Sequence, residues 1–115
     1  MAGLTTHVLD TAEGIPAQGI RLCLYSDLDD LCLGEFETNA DGRCDQPLLD
    51  NAAVKVGTYR LEFFVADYFR GRGHDLADPP FLDKIVIRFG ISDTARHTHV
   101  PLLVSPFAYS TYRGS

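Results

Sequence analysis

Apolar residues recur at period two through most of this chain, and that alternation restricts it to strands. Tyr59, Leu61, Phe63 and Val65 form one such run, and Ile85, Ile87, Phe89 and Ile91 alternate with Lys84, Val86 and Arg88. Ile20, Leu22 and Leu24 alternate likewise with Arg21, Cys23 and Tyr25. Successive side chains of a strand point to opposite faces, so each run offers one face to a core and keeps the other for water or chemistry. Leu4 to Asp10 and Leu31 to Thr38 read the same way, the second closing on the turn Asn39-Ala40-Asp41-Gly42, and Leu48-Leu49 and Val54 to Val56 are short candidates. Ala66 to Arg70 predicts one short helix stopped by Gly71, and Asp78-Pro79-Pro80 breaks regular structure before a strand over Phe81 to Ile91. With strands over His97 to Val104 and over the terminal segment, the count reaches about eight at roughly 8–12-residue spacing, which predicts an all-β antiparallel β-sandwich with one short helix.

A chain of 115 residues with 45% hydrophobic content has enough apolar material for one core, so residues 1–115 are expected to form a single domain. Ten Lys and Arg stand against 16 Asp and Glu, a net charge of -6 that argues against nucleic acid and against anionic membrane surfaces as partners. Neither a basic leader with an apolar core nor a run of about 18 apolar residues occurs, and the expectation is a soluble, cytoplasmic protein. Cys23, Cys32 and Cys44 are odd in number and lack C-x-x-C spacing, which suggests reduced thiols in place of a disulfide framework or zinc site. The nucleophile elbow, the Walker loop and H-E-x-x-H are all missing, and Gly71-Arg72-Gly73 has Leu76 where a dinucleotide fingerprint needs its third glycine.

The chemistry that remains is His7, Arg43, the pair His97 and His99, and Arg113. On a strand His97 and His99 share one face while Val100, Leu102 and Val104 take the other. Pro101 cannot donate a ladder hydrogen bond, so the strand is expected to be an edge or to carry a bulge there. A lone histidine or arginine is ordinarily structural or solvent-facing. Two same-face imidazoles can bind a metal or share proton transfer, and no third metal ligand is obvious.

Several segments together resemble the 5-hydroxyisourate hydrolases, the enzymatic branch of the transthyretin-like fold. They are Leu4 to Asp10 with Gly14-Ile15-Pro16-Ala17, Asp41-Gly42-Arg43, Gly57 to Leu61, His99 to Leu103 and Tyr109 to Ser115, and the closing Tyr112-Arg113-Gly114-Ser115 is the family's hallmark. The chain departs from the pattern at Thr98, usually aromatic, and at Ala108, usually glycine. The resemblance implies a transthyretin-like sandwich that opens 5-hydroxyisourate by attack of water on a ring carbonyl, without metal or other cofactor. It maps catalytic roles onto His7, Arg43, His99 and Ser115, and places Tyr112 and Arg113 with the substrate. It also implies a homotetramer with sites at the contact between dimers, acting on a small purine-derived molecule. A histidine can take or give a proton near neutral pH, and an arginine fork can hold a planar ring and an oxyanion. Base and acid are not divided between His7 and His99 by the resemblance. Tyr112 to Ser115 are expected to be held by strand pairing. The competing reading is a non-catalytic transthyretin-like module that binds a small ligand.

Overall fold

The structure, a computed structural model, describes residues 3–114. In chain order the elements are β1 (Leu4–Asp10), β2 (Ile15–Pro16), β3 (Arg21–Ser26), β4 (Leu31–Glu37), β5 (Gly57–Phe63), α1 (Val65–Gly71), β6 (Ile85–Ile91), β7 (Thr98–Val104) and β8 (Tyr109–Thr111). The strands form two four-stranded sheets, ordered β2-β1-β7-β8 and β4-β3-β5-β6. This is the sandwich with one short helix that the alternation predicts.

Between the sheets, Leu4, Val8, Leu102 and Val104 from one layer meet Leu22, Leu24, Leu61 and Phe63 from the other, all with no exposed surface. Each such side chain contributes about 1.5–3 kcal/mol on leaving water. The helix closes one end. Its Tyr68 hydroxyl donates to Asp10 Oδ2 at 2.9 Å, while Asp10 Oδ1 accepts the Ala12 and Glu13 N–H groups at 2.9 and 3.0 Å. Burial and the Asp10 carboxylate push the Tyr68 pKa well up, so the phenol stays a donor and Asp10 stays satisfied.

Three expectations need correction. Leu48-Leu49 and Val54 to Val56 are not strands: Leu49 makes one bridge to Leu4, and Leu48 and Val54 pack into the core from a connecting segment. Their apolar character serves burial without a ladder. The strand expected from Phe81 begins at Ile85, and Phe81 is exposed beyond the proline break. The pairing is also not wholly antiparallel, because β1 and β7 run parallel from Leu4↔Thr98 to Asp10↔Val104. Period-two patterning fixes which face is buried and leaves strand direction open. That direction has a functional consequence, since the parallel register sets Thr5 beside His99.

Candidate active site

The site lies on the outer face of the β2-β1-β7-β8 sheet. Along β1 the buried residues are Leu4, Thr6, Val8 and Asp10, which turns Thr5, His7 and Leu9 outward. On β7, buried Thr98 and Val100 flank His99 and turn it the same way. The carbonyls of His99 and Pro101 point toward the C-terminal segment, accepting the Gly114 N–H at 2.9 Å and the Thr111 hydroxyl at 2.6 Å. The Pro101 nitrogen shares that direction and meets the stretch where the ladder lapses, between the end of β8 at Thr111 and the single bridge His99↔Gly114. A local edge is therefore present at Pro101, as its missing donor demands. The expectation that Tyr112 and Arg113 continue a strand is corrected: neither is paired, and both are exposed.

Arg43 reaches this face through a turn written in the sequence. Asn39 Oδ1 accepts the N–H of Asp41 at 2.9 Å and of Arg43 at 3.2 Å, and the Gly42 N–H donates to the Asn39 carbonyl at 2.9 Å. The Gly42 carbonyl then accepts the Val8 N–H at 2.8 Å, and His7 pairs with Arg43 in an antiparallel bridge. Gly42 has φ 76°, and a Cβ there would collide with the Val8 carbonyl oxygen. Gly42→Ala should thus cost about 1–3 kcal/mol and lower the calorimetric Tm by several degrees. An unchanged Tm would show that the turn can leave β1 without penalty.

The imidazoles are held individually. His7 Nε2 lies 2.9 Å from the Asp41 carbonyl oxygen, which can only accept, so Nε2 carries the proton and neutral His7 keeps its lone pair on Nδ1. His99 Nδ1 lies 2.8 Å from Thr5 Oγ, and the same hydroxyl lies 2.8 Å from His97 Nε2. The two rings are nearly parallel, 21° apart in plane with centroids at 6.5 Å. Burial is the main cause that holds the His99 pKa below the usual histidine value, with the charges of Arg43, His7 and His97 adding to it. His99 is therefore neutral at pH 7 and available as a base. Its ring lies against Gly114, where a Cβ would stand 2.5 Å from His99 Cδ2, so only glycine allows this approach.

Thr5, Arg43, His97, His99, Tyr112 and Gly114 line a cleft of about 360 Å³. An adjoining hollow of about 290 Å³ shares Thr5, Arg43 and His97 and adds Cys44 and Gln46. Of the residues expected at the site, the structure therefore brings together Arg43, His99 and Tyr112. His7 is tied to Arg43 by its backbone bridge but does not line the cleft. Arg113 shares a different cavity with His99 and Tyr112, about 240 Å³ in volume, bordered by Ile87, Phe89 and Thr98. Ser115 lies outside the described residues. Thr98 is buried, opposite the imidazoles, and borders that cavity. Ala108 has no positive φ, and its turn is held by Ser105 Oγ, which accepts the Phe107 and Ala108 N–H groups at 3.3 and 3.1 Å. Burial pushes the Cys44 thiol up to about 11, which keeps it protonated as a packing group against the core.

Two contributors escape a reading of the sequence alone, and a third was legible in it. Thr5 looks like an ordinary β-former until the parallel register places it beside His99. Asp41 acts through its backbone oxygen, which no side-chain pattern reveals. Asn39 did carry a signal, since Asn at the start of a tight turn commonly accepts the N–H two residues on.

Solved structures and curated relatives resemble the chain over its whole length. It is 50% identical to the 5-hydroxyisourate hydrolase of Ralstonia nicotianae, covering all of both chains. The structure of the Klebsiella pneumoniae 5-hydroxyisourate hydrolase superposes with a TM-score of 0.83 at 32% identity, again over all of both chains. A crystal structure of (S)-allantoin synthase gives a TM-score of 0.93 at 44% identity over 99% of this chain, which spans only 44% of that longer protein. The family model described as HIUase/Transthyretin matches residues 4–114, and it is to this family that the chain belongs.

Proposed function

We propose that the protein is a hydrolase that opens 5-hydroxyisourate, and that the outer-face cleft is where it does so. The observation that carries the reading is the meeting of Arg43 and neutral His99 in one cleft, with His7 fixed beside Arg43, in a chain of this family. Water adds to a ring carbonyl as one histidine takes its proton, and the carbonyl oxygen gains charge that Arg43 N–H groups stabilise. The cyclic C–N bond then breaks, the departing nitrogen takes a proton from the other histidine, and a carboxylated ureidoimidazoline leaves. The base, the acid and the oxyanion donor are all side chains, so the step requires no cofactor.

The exposed outer face also suits assembly. Tyr112 is 59% exposed beside the cleft, and pairing of this face with a second copy would cover it. On this reading the protein is a homotetramer whose sites lie at the contact between dimers, where Tyr112, Arg113 and Ser115 would reach the substrate. The free thiols suit a reducing, cytoplasmic setting.

5-Hydroxyisourate absorbs in the near ultraviolet and decays slowly unaided, so loss of its absorbance with catalytic amounts of protein tests the activity. Acceleration that persists with a chelator is expected. Saturable binding without acceleration would favour the ligand-binding module instead. Mass photometry should show four chains, and a fully active monomer would overturn the shared site.

A further inference from the structure

Thr5 occupies an unusual place, because one hydroxyl touches the facing nitrogens of two imidazoles at 2.8 Å each. A hydroxyl has one proton to give, so at most one of those nitrogens can be bare while both hydrogen bonds stand. The protonation of His99 Nδ1 is thereby tied to that of His97 Nε2. We propose that Thr5 is a positioning residue whose hydroxyl couples the tautomers of His99 and His97, making the three side chains one proton relay that leads out of the cleft. The inference rests on the hydrolase reading only in placing His99 beside the reacting atoms.

Two neutral arrangements place the Thr5 proton between the rings. In the first, His99 Nδ1–H donates to Thr5, the Thr5 proton goes to His97 Nε2, and His99 Nε2 is left with a lone pair for a base. In the second, His97 Nε2–H donates to Thr5, the Thr5 proton goes to His99 Nδ1, and His99 Nε2–H becomes a donor. The relay converts one to the other. When His99 Nε2 takes a proton from water, its Nδ1 proton passes to Thr5 Oγ as the Thr5 proton passes to His97 Nε2. His97 then releases its Nδ1 proton to solvent. Positive charge leaves the half-buried ring, and His99 finishes neutral with its proton on the nitrogen that faces away from Thr5.

The surroundings favour moving that charge outward. Arg43 from the 39–43 turn and His7 from β1 disfavour a cation on His99, and Arg113 and Tyr112 border its other side. His97 stands at the entrance to β7, half-buried and lining both outer hollows, so its far nitrogen has a route to water. Thr6, the next residue, shows the contrast: its hydroxyl is buried and donates to the Val100 carbonyl at 2.6 Å, a purely structural bond.

The test compares Thr5→Val, which keeps the β-branched shape and removes the hydroxyl, with Thr5→Ser, which keeps the hydroxyl. Thr5→Val should lose about tenfold in kcat with KM little changed. Thr5→Ser should recover most of the loss, and His97→Asn should fall by a similar factor. Because the residues act as one chain, Thr5→Val combined with His97→Asn should cost no more than either alone. Nitrogen-15 shifts of the His99 ring supply a readout that needs no substrate: its tautomer ratio should change in Thr5→Val and His97→Asn and stay unchanged in Thr5→Ser. An unchanged ratio in Thr5→Val overturns the relay, as does wild-type kcat with a changed ratio. Should the wild type fail to turn over 5-hydroxyisourate, the hydrolase reading falls and the nitrogen-15 comparison alone decides the relay.

Discussion

Replacing His99 by asparagine should lower kcat by roughly 10²–10⁴-fold with dichroism and oligomer size unchanged, the range set by loss of general acid or base assistance. The structure makes this a clean substitution. Asparagine can keep a polar contact with Thr5 while it removes the ring nitrogen left for the substrate. His7→Asn is the parallel case: its amide can still donate to the Asp41 carbonyl, so the loss is confined to Nδ1. Both variants should fall far below His97→Asn, whose residue supports His99 through the shared Thr5 hydroxyl. Near wild-type turnover in the His7 or His99 variant would remove that residue from the mechanism. His7 is the more exposed to this outcome, because it does not line the cleft in a single chain.

Much of this architecture was legible in the sequence, and the reasons are local. Strands such as Ile85 to Ile91 announce themselves because burial on one face imposes period two, and the Asn39-to-Gly42 turn announces itself through residues with special backbone preferences. The same-face placement of His97 and His99 follows from two-residue spacing alone, and Thr5 holds both rings together. What stayed hidden depends on long-range pairing. Nothing local distinguishes a parallel from an antiparallel partner for β1, so the Thr5 contact could not be derived, and nothing local brings the 39–43 turn beside His7. The catalytic assignment came from family resemblance, and the structure adds geometry to it for His7, Arg43, His99 and Tyr112. Arg113 illustrates the limit of motif logic. It is adjacent to Tyr112 in the closing tetrapeptide, yet it borders a different cavity from the one that Arg43 lines.

Arg43 should be nearly as costly to lose, and its two contributions can be separated by charge and shape. Arg43→Ala removes a donor to the developing oxyanion, an effect of about 10²–10³-fold on kcat. Arg43→Lys keeps the charge but replaces a planar fork with a single ammonium group, so it should fail almost as badly if orientation of the ring matters. The pH profile reports the other contribution. Arg43 is one of the causes holding the His99 pKa down, second to burial. A depressed pKa keeps His99 neutral further into acid, so the acid limb of kcat/KM in the wild type should lie below the ordinary histidine value of about 6.5. Taking away the positive neighbour lets His99 accept a proton more readily, and the limb should move up in pH for Arg43→Ala. Lysine preserves the charge and should leave the limb near its wild-type position while kcat drops. Full activity in the lysine variant would reduce Arg43 to simple electrostatics. A limb that does not move in the alanine variant would instead assign the depression of His99 to burial and the neighbouring imidazoles, leaving Arg43 with only its hydrogen bonds.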